Sequence, residues 1–371
     1  MDLILSTTPP EASPLHAAGK PLLQVQNISV AYGRNPPAVR NLSFDVPRQA
    51  IACLLGPSGC GKTTVLRAIA GFVPLLGGRI VVGGREVSGP AGTQPPERRG
   101  VGVVFQDYAL FPHLCIADNV AFGLRSLASA DRCQRVSRML ELVGLQGIAH
   151  RFPHELSGGQ QQRVALGRAL APNPALVLMD EPFSNLDVEM RERLSAEVRD
   201  ILKTSGTGAV LVTHDQHEAF AMADVVGVIQ EGHLDQWDLP YKLYHEPNSR
   251  FIADFVGAGA FVRGQVRDTG GARRIAIALG ELDGRHVGGG HGQAVDVLLR
   301  PDDVIHDDQA PATAVVARKL FRGAEFLYTL RLDSGEEVLS LVPSHHNHVI
   351  GERIGVRLEV DHVVAFPVGK G

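Results

Sequence analysis

The residues best suited to chemistry form a glycine-rich stretch that ends in a lysine and a threonine. Residues 56–63 read GPSGCGKT, a G-x-x-x-x-G-K-T pattern, and follow an apolar run at 51–55. Glycines let consecutive backbone N–H groups turn inward around an anion, and a helix start adds its positive end. We therefore predict a phosphate-binding loop between a strand and a helix. Lys62 would reach the β- and γ-phosphates, and the Thr63 hydroxyl would bind Mg²⁺.

A pair of carboxylates is the second candidate feature. The apolar run at 175–179 is followed directly by Asp180 and Glu181. In open α/β sheets, ligands bind at the carboxyl ends of the strands, so we expect both side chains near the phosphate loop. Asp180 would hold Mg²⁺ directly or through water, and Glu181 would position or deprotonate the attacking water.

The elements that position these residues follow from the pattern of apolar residues. From Leu22 to about Trp237, short apolar runs alternate with helical patterns, which indicates an α/β domain with a buried sheet. Beyond Gly257, short β-type runs are separated by Gly, Asp and Pro, which indicates a small all-β domain. The predicted division is a flexible tail at 1–20, the α/β domain at 21–238, a connecting helical segment at 239–256 and the β-domain at 257–371.

Composition excludes several classes of protein. The 371 residues are 44% hydrophobic and 20% charged, so a largely disordered chain is ruled out. With 36 basic and 40 acidic residues the net charge is −4, which gives no reason to propose a nucleic-acid partner. The longest apolar runs are too short for a membrane-spanning helix, and the first twenty residues lack the features of a cleaved signal. Four scattered cysteines indicate reduced thiols and no disulfide framework.

Residues 156–160 make the interpretation specific, because they read LSGGQ. Together with the phosphate loop and the two carboxylates, this sequence resembles the ATP-binding subunit of an ABC transporter. Ser157 can cap the helix that follows, whose free N–H groups would present an anion site. In the family this site closes on the γ-phosphate held by the other subunit. The resemblance therefore implies a head-to-tail homodimer with two shared ATP sites, built in part from the signature residues Leu156, Ser157, Gly158, Gly159 and Gln160.

Further ATP contacts are implied by the resemblance. Tyr32 occupies the position of an aromatic ring that stacks on adenine, and its alternative is an aromatic residue of the core. The remaining ATP-binding positions lie in and just after the loop: Gly56, Pro57, Ser58, Gly59, Cys60, Gly61, Lys62, Thr63 and Thr64.

The resemblance also assigns the catalytic and metal-binding positions. Glu181 would be the catalytic base, His214 would contact the γ-phosphate, and Gln106 would sense Mg²⁺ and the attacking water. The magnesium positions are Thr63, Gln106 and Asp180. Asp187 ends the run SNLD, which communicates across the dimer in the family. Asn185 and Gly167 depart from the family pattern, where alanine is usual.

The C-terminal part carries a second resemblance. Residues 298–304 read LLRPDDV, similar to the β-barrel regulatory domains that follow the ATPase in one group of importers. The expected fold is thus an α/β P-loop ABC domain followed by a small all-β, OB-like barrel. The resemblance implies an ATPase that needs ATP and Mg²⁺, located peripherally at the cytoplasmic face of the inner membrane. Its partners would be two permease subunits and, through them, an extracytoplasmic substrate-binding protein.

The transported substrate is the most open question. The phrases LFPHL at 110–114, RFPHELSGGQQQ at 151–162 and DQHEAFAMAD at 215–224 are most similar to ferric-iron importers. Polyamine import is the next candidate, followed by sulfate or molybdate. A soluble ABC ATPase of DNA repair or translation is the alternative class, but such proteins usually carry two ATPase cassettes or a long coiled-coil insertion. The β-domain is also a candidate sensor that halts the ATPase when it binds a metabolite or an anion.

A group of histidines near the C-terminus invites a metal hypothesis. His345, His346 and His348 lie within four positions of one another, but no second cluster of ligands accompanies them in the sequence. We therefore predict a solvated loop at these positions.

Overall fold

The computed structural model describes residues 20–269, 272–285, 287–288 and 290–368, so most of the predicted N-terminal tail lies outside the described residues. The chain divides into two compact units, with the division between Pro240 and Tyr241. In the described part of the chain, no helix is long and apolar enough to cross a membrane.

The first unit contains the predicted α/β pattern. Its helices are α1 (Lys62–Ala70), α2 (Ile116–Ala121), α3 (Ser129–Leu142), α4 (Gly158–Leu170), α5 (Val188–Ser205) and α6 (Gln216–Met222). Its strands are β1 (Leu23–Val30), β2 (Val39–Val46), β3 (Ile51–Leu55), β4 (Gly77–Val82), β5 (Arg85–Gly89), β6 (Gly92–Thr93), β7 (Val101–Val104), β8 (Leu176–Asp180), β9 (Gly208–Thr213), β10 (Val225–Gln230) and β11 (His233–Asp238).

Two sheets organise this unit. The central sheet has the order β11-β10-β3-β9-β8-β7, and its strands are parallel except for β11. Every residue of β3 and β9 is buried, as expected for parallel strands covered on both faces. The second sheet, β2-β1-β4-β5-β6, is antiparallel. The carboxyl ends of β3, β8 and β9 lie at one edge of the central sheet, which is where the predicted chemistry must assemble.

The second unit is built mainly from β-strands. It contains α8 (Arg250–Val256) and most of α7 (Pro240–His245). Its strands are β12 (Ala260–Thr269), β13 (Ala272–Ile277), β14 (Gly280–Asp283), β15 (Ala294–Leu299), β16 (Val304–His306), β17 (Thr313–Phe321), β18 (Glu325–Arg331), β19 (Glu337–Pro343), β20 (Arg353–Leu358) and β21 (Val364–Pro367).

These strands form two antiparallel sheets, β14-β13-β12-β15-β21 and β16-β20-β17-β18-β19. Alternate residues of β18 and β19 point into a core that both sheets share. Burial of every second residue is what the short alternating runs of the sequence predicted. The expected arrangement of an α/β domain followed by a barrel-like all-β domain is therefore confirmed.

A buried arginine anchors the helical segment to the β-domain. Arg300 is 2% exposed and follows the last residue of β15. Its guanidinium donates hydrogen bonds to four backbone carbonyls: Tyr244, Ala253, Gly257 and Ala258. A guanidinium has five N–H groups and keeps its charge when buried, which suits it to collect several carbonyl groups.

His345, His346 and His348 lie in a loop between β19 and β20, as expected, but the loop is not uniformly exposed to solvent. His345 is exposed, but His346 and His348 are partly buried. They lie beside His306, which ends β16. Because this third histidine comes from a distant segment, the sequence pattern gave no sign of the cluster.

Candidate functional site

The phosphate loop connects β3 to α1 and requires glycine at several positions. Gly59 and Gly61 have φ values of +81° and +111°, in the region that glycine adopts most easily. A Cβ atom at Gly56 would lie 2.3 Å from the carbonyl oxygen of Ile229, and one at Gly61 would lie 2.6 Å from that of Ala38. The shape of the loop therefore depends on the glycines of the sequence motif.

Lys62 is the first residue of α1 and is buried, with 5% of its surface exposed. Its ammonium donates to the carbonyl oxygens of Gly56 at 2.8 Å and Pro57 at 2.9 Å. Among the residues the structure describes, no carboxylate forms a salt bridge with it. A buried cation without a carboxylate partner is costly unless an anion compensates it, so the loop fits a phosphate.

Thr63 and Asp180 bring two oxygen ligands together at the edge of the sheet. The Thr63 hydroxyl donates to a carboxylate oxygen of Asp180 at 3.0 Å. Burial raises the pKa of Asp180, and the hydrogen bond from Thr63 and the charge of Arg67 partly offset this effect. Hard oxygen ligands such as these are what Mg²⁺ prefers, so the pair fits a magnesium ion.

Glu181 follows β8 in a strained backbone conformation. Its φ is +42°, which costs a non-glycine residue about 1–3 kcal/mol and occurs most often at functional sites. Three hydrogen bonds hold it there: its N–H donates to the carbonyl of Val212 at 3.0 Å, and its carbonyl oxygen accepts from the hydroxyl and the N–H of Ser184 at 3.0 Å and 3.3 Å. In this position a carboxylate oxygen of Glu181 lies 3.5 Å from Nδ1 of His214.

His214 comes directly after β9 and its side chain is 53% exposed. The segment around it is supported by groups that the sequence analysis missed. Glu218 is 3% exposed and accepts from the Thr213 hydroxyl at 2.6 Å, while Arg191 of α5 forms ion pairs with both Asp215 and Glu218. Burial raises the pKa of Glu218. The only signal in the sequence was its position on α6 soon after His214, which does not reveal burial.

Gln106 lies just after β7 and is exposed. Its carbonyl oxygen accepts a hydrogen bond at 3.0 Å from the side-chain amide of Asn185, one of the two departures from the family pattern. Alanine at position 185 could not make this bond. At Gly167, the second departure, an added Cβ would lie 3.5 Å from Val143, an ordinary contact that leaves room for alanine.

Tyr32 is 42% exposed, which argues against the alternative of a core aromatic residue. Its hydroxyl lies 3.3 Å from that of Thr64 in the first turn of α1. The ring therefore lies beside the start of the phosphate-loop helix.

The LSGGQ signature begins α4. Ser157 caps this helix by accepting from the N–H of Gln160 at 3.4 Å, and the Gln160 side chain accepts from the N–H of Ser157 at 3.1 Å. This reciprocal capping box fixes the helix start. A Cβ at Gly159 would lie 2.7 Å from the side chain of Leu194, so glycine permits close packing of α4 against α5. In the described chain no hydrogen bond joins the signature to its own phosphate loop.

An open groove lies on the helices that follow Gln106. It has a volume of about 620 Å³ and its apolar lining comes mainly from α2, α3 and the turn after α2. The lining includes Leu114, Ala117, Phe122, Val136 and Leu140, with Arg125 and Arg132 among its charged residues.

The segment between Gln106 and the groove is fixed by side-chain hydrogen bonds to its backbone. Asn119 of α2 is fully buried and bonds the backbone of Phe111, Leu114 and Cys115. Arg168 of α4 donates to the carbonyl oxygens of Tyr108 and Ala109, both of which have positive φ. Side chains of two helices, α2 and α4, therefore hydrogen-bond the backbone of the segment between Gln106 and α2.

Comparison with known proteins decides the family. The ABC transporter family model matches residues 39–184, which include the phosphate loop, Gln106, the signature, Asp180 and Glu181, and a TOBE domain model matches residues 297–366. The chain belongs to the ABC transporter family. It is an ATPase coupled to transport, and its C-terminal unit carries the TOBE domain.

Curated relatives are similar to this chain over about nine tenths of its length. A protein named "Fe(3+) ions import ATP-binding protein FbpC 2" from Pectobacterium atrosepticum is 39% identical over 90% of this chain and 97% of its own. A "Spermidine/putrescine import ATP-binding protein PotA" from Rubrobacter xylanophilus is 39% identical over 87% of both chains, and one from Pseudomonas fluorescens is 38% identical over 92% of this chain and 97% of its own.

Proposed function

We propose that this chain is the ATP-hydrolysing, energy-coupling subunit of an ABC importer, and that its nucleotide site is the one described above. The observation that best supports this site is the convergence of three segments, after β3, β8 and β9, at one sheet edge. The 3.0 Å contact between Thr63 and Asp180 and the 3.5 Å contact between Glu181 and His214 bring metal-binding and catalytic groups together beside Lys62.

Each group has a definite role in hydrolysis. Lys62 and the N–H groups of residues 56–61 bind the phosphates of ATP, and Tyr32 stacks on the adenine. Thr63, Asp180 and Gln106 would hold Mg²⁺, which when bound neutralises charge on the phosphates. Glu181 accepts the proton of the attacking water, and His214 contacts the γ-phosphate while its ring lies close to the Glu181 carboxylate.

The complete site requires two copies of the chain. The N–H groups at the start of α4, capped by Ser157, face the γ-phosphate held by the partner subunit's loop, and the positive end of the helix favours that contact. Asp187 caps α5 by accepting from the N–H of Met190 at 2.9 Å. Asp187 communicates between the two ATP sites of the dimer.

The groove on α2 and α3 receives a cytoplasmic segment of the permease at the inner membrane. Its apolar lining suits a partner helix, and the segment from Gln106 to α2 links it to the nucleotide site. Two permease subunits therefore contact the dimer, and the extracytoplasmic binding protein delivers the transported substrate to them.

Ferric iron is the proposed cargo, because the phrases at 110–114, 151–162 and 215–224 resemble ferric-iron importers and one relative is named for Fe(3+) import. Polyamine import is the second candidate, favoured by relatives of 39% and 38% identity that are named for spermidine and putrescine. The permease and the binding protein select the cargo, so the nucleotide site serves either one.

Uptake by cells that carry Glu181→Gln in place of the native chain tests both parts of this proposal. The matched control is Glu189→Gln, which alters an exposed carboxylate in the first turn of α5. Labelled ferric iron, putrescine and sulfate are supplied in parallel. We expect iron uptake alone to fall in the Glu181 variant. Loss of putrescine uptake instead would reject iron and retain the importer ATPase, and unchanged uptake of all three would reject the role of Glu181 in import.

A further inference from the structure

Three histidines of the β-domain lie close enough to share a metal ion. His306 ends β16, and His346 and His348 belong to the loop between β19 and β20. One ring nitrogen from each residue lies within 4.8 Å of those of the other two. Bonds of about 2.0–2.1 Å from nitrogen to a tetrahedral ion require movements of only about 1 Å per ring.

Carboxylates orient two of the three rings. Asp308 lies 2.9 Å from Nε2 of His306, and Glu352 lies 2.9 Å from Nδ1 of His348. Histidines that bind metals almost always donate their other ring N–H to a carboxylate, a carbonyl or water, and this contact fixes the orientation of the ring. His306 and His348 each have a carboxylate next to one ring nitrogen, as metal-binding histidines commonly do.

The free nitrogen of His348 supplies an independent observation. Its side chain is only 16% exposed, and Nε2 is buried without a hydrogen-bond partner. A buried polar atom left unpaired costs about 1–3 kcal/mol, so such atoms are uncommon in folded proteins. A metal ion coordinated to this nitrogen would remove that cost.

The backbone of the histidine loop is fixed by two side chains of the neighbouring strands. The hydroxyl of Tyr328, on β18, donates to the carbonyl of His346 at 2.8 Å and accepts from the N–H of His348 at 3.0 Å. Lys319, on β17, donates to the carbonyl of His348 at 2.9 Å. These bonds hold the two histidines of the loop next to His306, and a loop fixed in this way lowers the entropy cost of binding a metal.

We propose that His306, His346 and His348 form a binding site for a borderline divalent transition-metal ion, with Zn²⁺ as the reference ion. Imidazole ligands suit Zn²⁺, Cu²⁺, Ni²⁺ and Fe²⁺, whereas Ca²⁺ and Mg²⁺ prefer oxygen. Three protein ligands leave a fourth position for water or for an external ligand. The site lies in the TOBE-containing unit and does not depend on which cargo the importer carries.

The test measures metal binding to the full-length, tag-free chain after treatment with a chelator. Zn²⁺ is titrated by calorimetry, and Co²⁺ is added separately because its visible absorption reports coordination by nitrogen ligands. We expect His306→Ala and His348→Ala each to remove one bound Zn²⁺ per chain relative to the parent protein. His345→Ala is the matched control, since it removes an exposed adjacent histidine that is outside the cluster.

A variant that keeps all three histidines tests whether a loss of Zn²⁺ binding is caused by misfolding instead of by the loss of a ligand. Asp308 is 73% exposed, so Asp308→Asn should not disturb the fold, yet it removes the carboxylate on His306. We expect its Zn²⁺ affinity to fall about 10- to 100-fold. Equal Zn²⁺ stoichiometry in the parent, the His306 and the His348 variants would overturn the proposal, as would a Co²⁺ spectrum that none of these variants changes.

Discussion

The nucleotide site and the histidine cluster are both assembled from distant segments, but by different means. Lys62 and Thr63 meet Asp180 and Glu181 because β3, β8 and β9 are parallel strands whose carboxyl ends share one edge. His306 meets His346 and His348 inside an antiparallel domain, where proximity depends on strand register and on the path of one loop. In a parallel sheet, the residues of a site can therefore be predicted from local sequence motifs that follow the strands. In an antiparallel barrel they cannot.

The largest effect we expect comes from Glu181→Gln, which leaves the nucleotide loop intact and removes the proton acceptor. The turnover rate for ATP should fall about 10²- to 10⁴-fold while ATP binding is retained, because general-base catalysis typically contributes this much. Steady-state hydrolysis and equilibrium nucleotide binding measure the two quantities. Because the nucleotide site and the histidine cluster are separate sites, we expect Zn²⁺ binding by the β-domain to be unchanged in this variant. If Glu181→Gln turned over ATP at the rate of Glu189→Gln, Glu181 would not be the catalytic base.

Arg300→Met tests whether the β-domain depends on its buried arginine. The variant leaves the carbonyls of Tyr244, Ala253, Gly257 and Ala258 without their donor, and we expect a loss of about 2–4 kcal/mol in the free energy of unfolding of this unit. Denaturant unfolding followed by tyrosine signals measures it.

The exposed Arg322 provides the control substitution for Arg300, again to methionine. Trp237, the single tryptophan of the chain, lies on β11 and reports the first unit. The unfolding transition that the Trp237 signal reports should have the same denaturant midpoint in both variants as in the parent protein. Equal unfolding free energies for the two variants would show that the arginine does not anchor the helical segment.

Asp303 makes the stability of the β-domain depend on pH. Burial raises the pKa of this carboxyl to about 6, from 3.8. Since the folded pKa lies above the unfolded one, the stabilisation by the bound proton is complete below about pH 4 and is lost as the pH rises to about 6.

Asp303→Asn should therefore be more stable than the parent by about 1–3 kcal/mol above pH 6, with the difference shrinking towards pH 4. The amide oxygen can still accept the hydrogen bond that the N–H of Arg300 donates to Asp303. Calorimetric unfolding of the full chain from pH 4.5 to 7.5 measures the difference. A difference that does not change over this range would contradict the assignment.

The smallest effect is expected at Asn185, whose single hydrogen bond holds the carbonyl of Gln106. One such bond contributes about 0.5–1.5 kcal/mol, so Asn185→Ala should change the ATPase rate about twofold to tenfold. Gly167→Ala, the other change towards the family pattern, has room for its methyl group and should leave the rate unaltered. Equal rates in both variants would mean that the bond to Gln106 does not influence hydrolysis.

Much of the fold was accessible from the sequence. The alternation of apolar runs and helical patterns predicted the α/β unit, and the short alternating runs beyond Gly257 predicted the β-domain. The division lies between Pro240 and Tyr241, so α8 belongs to the β-containing unit. Arg300 explains this placement, because its guanidinium donates to the carbonyl of Tyr244 before that helix, of Ala253 within it and of Gly257 after it. Hydrogen bonds from one arginine to distant backbone carbonyls produce no periodic pattern in the sequence, so this anchoring could not be predicted.

Some supporting groups of the nucleotide site could not be inferred. Glu218 and Arg191 appeared as ordinary charged residues of helices, yet the buried carboxylate of Glu218 forms an ion pair with the partly exposed Arg191 beside His214. Burial of a charge depends on which helix covers it, and a single sequence does not contain that information.

By itself, the sequence determined the identity of the nucleotide-binding motifs, because a phosphate loop requires particular glycines, a lysine and a hydroxyl at fixed spacing. It also determined the family, through LSGGQ and its neighbours. Only the tertiary structure decided that Asn185 bonds Gln106, that Glu181 is held at positive φ, and that His306 lies beside His346 and His348. The physical reason is common to all three: each depends on the packing of segments distant in the chain, which local spacing does not specify.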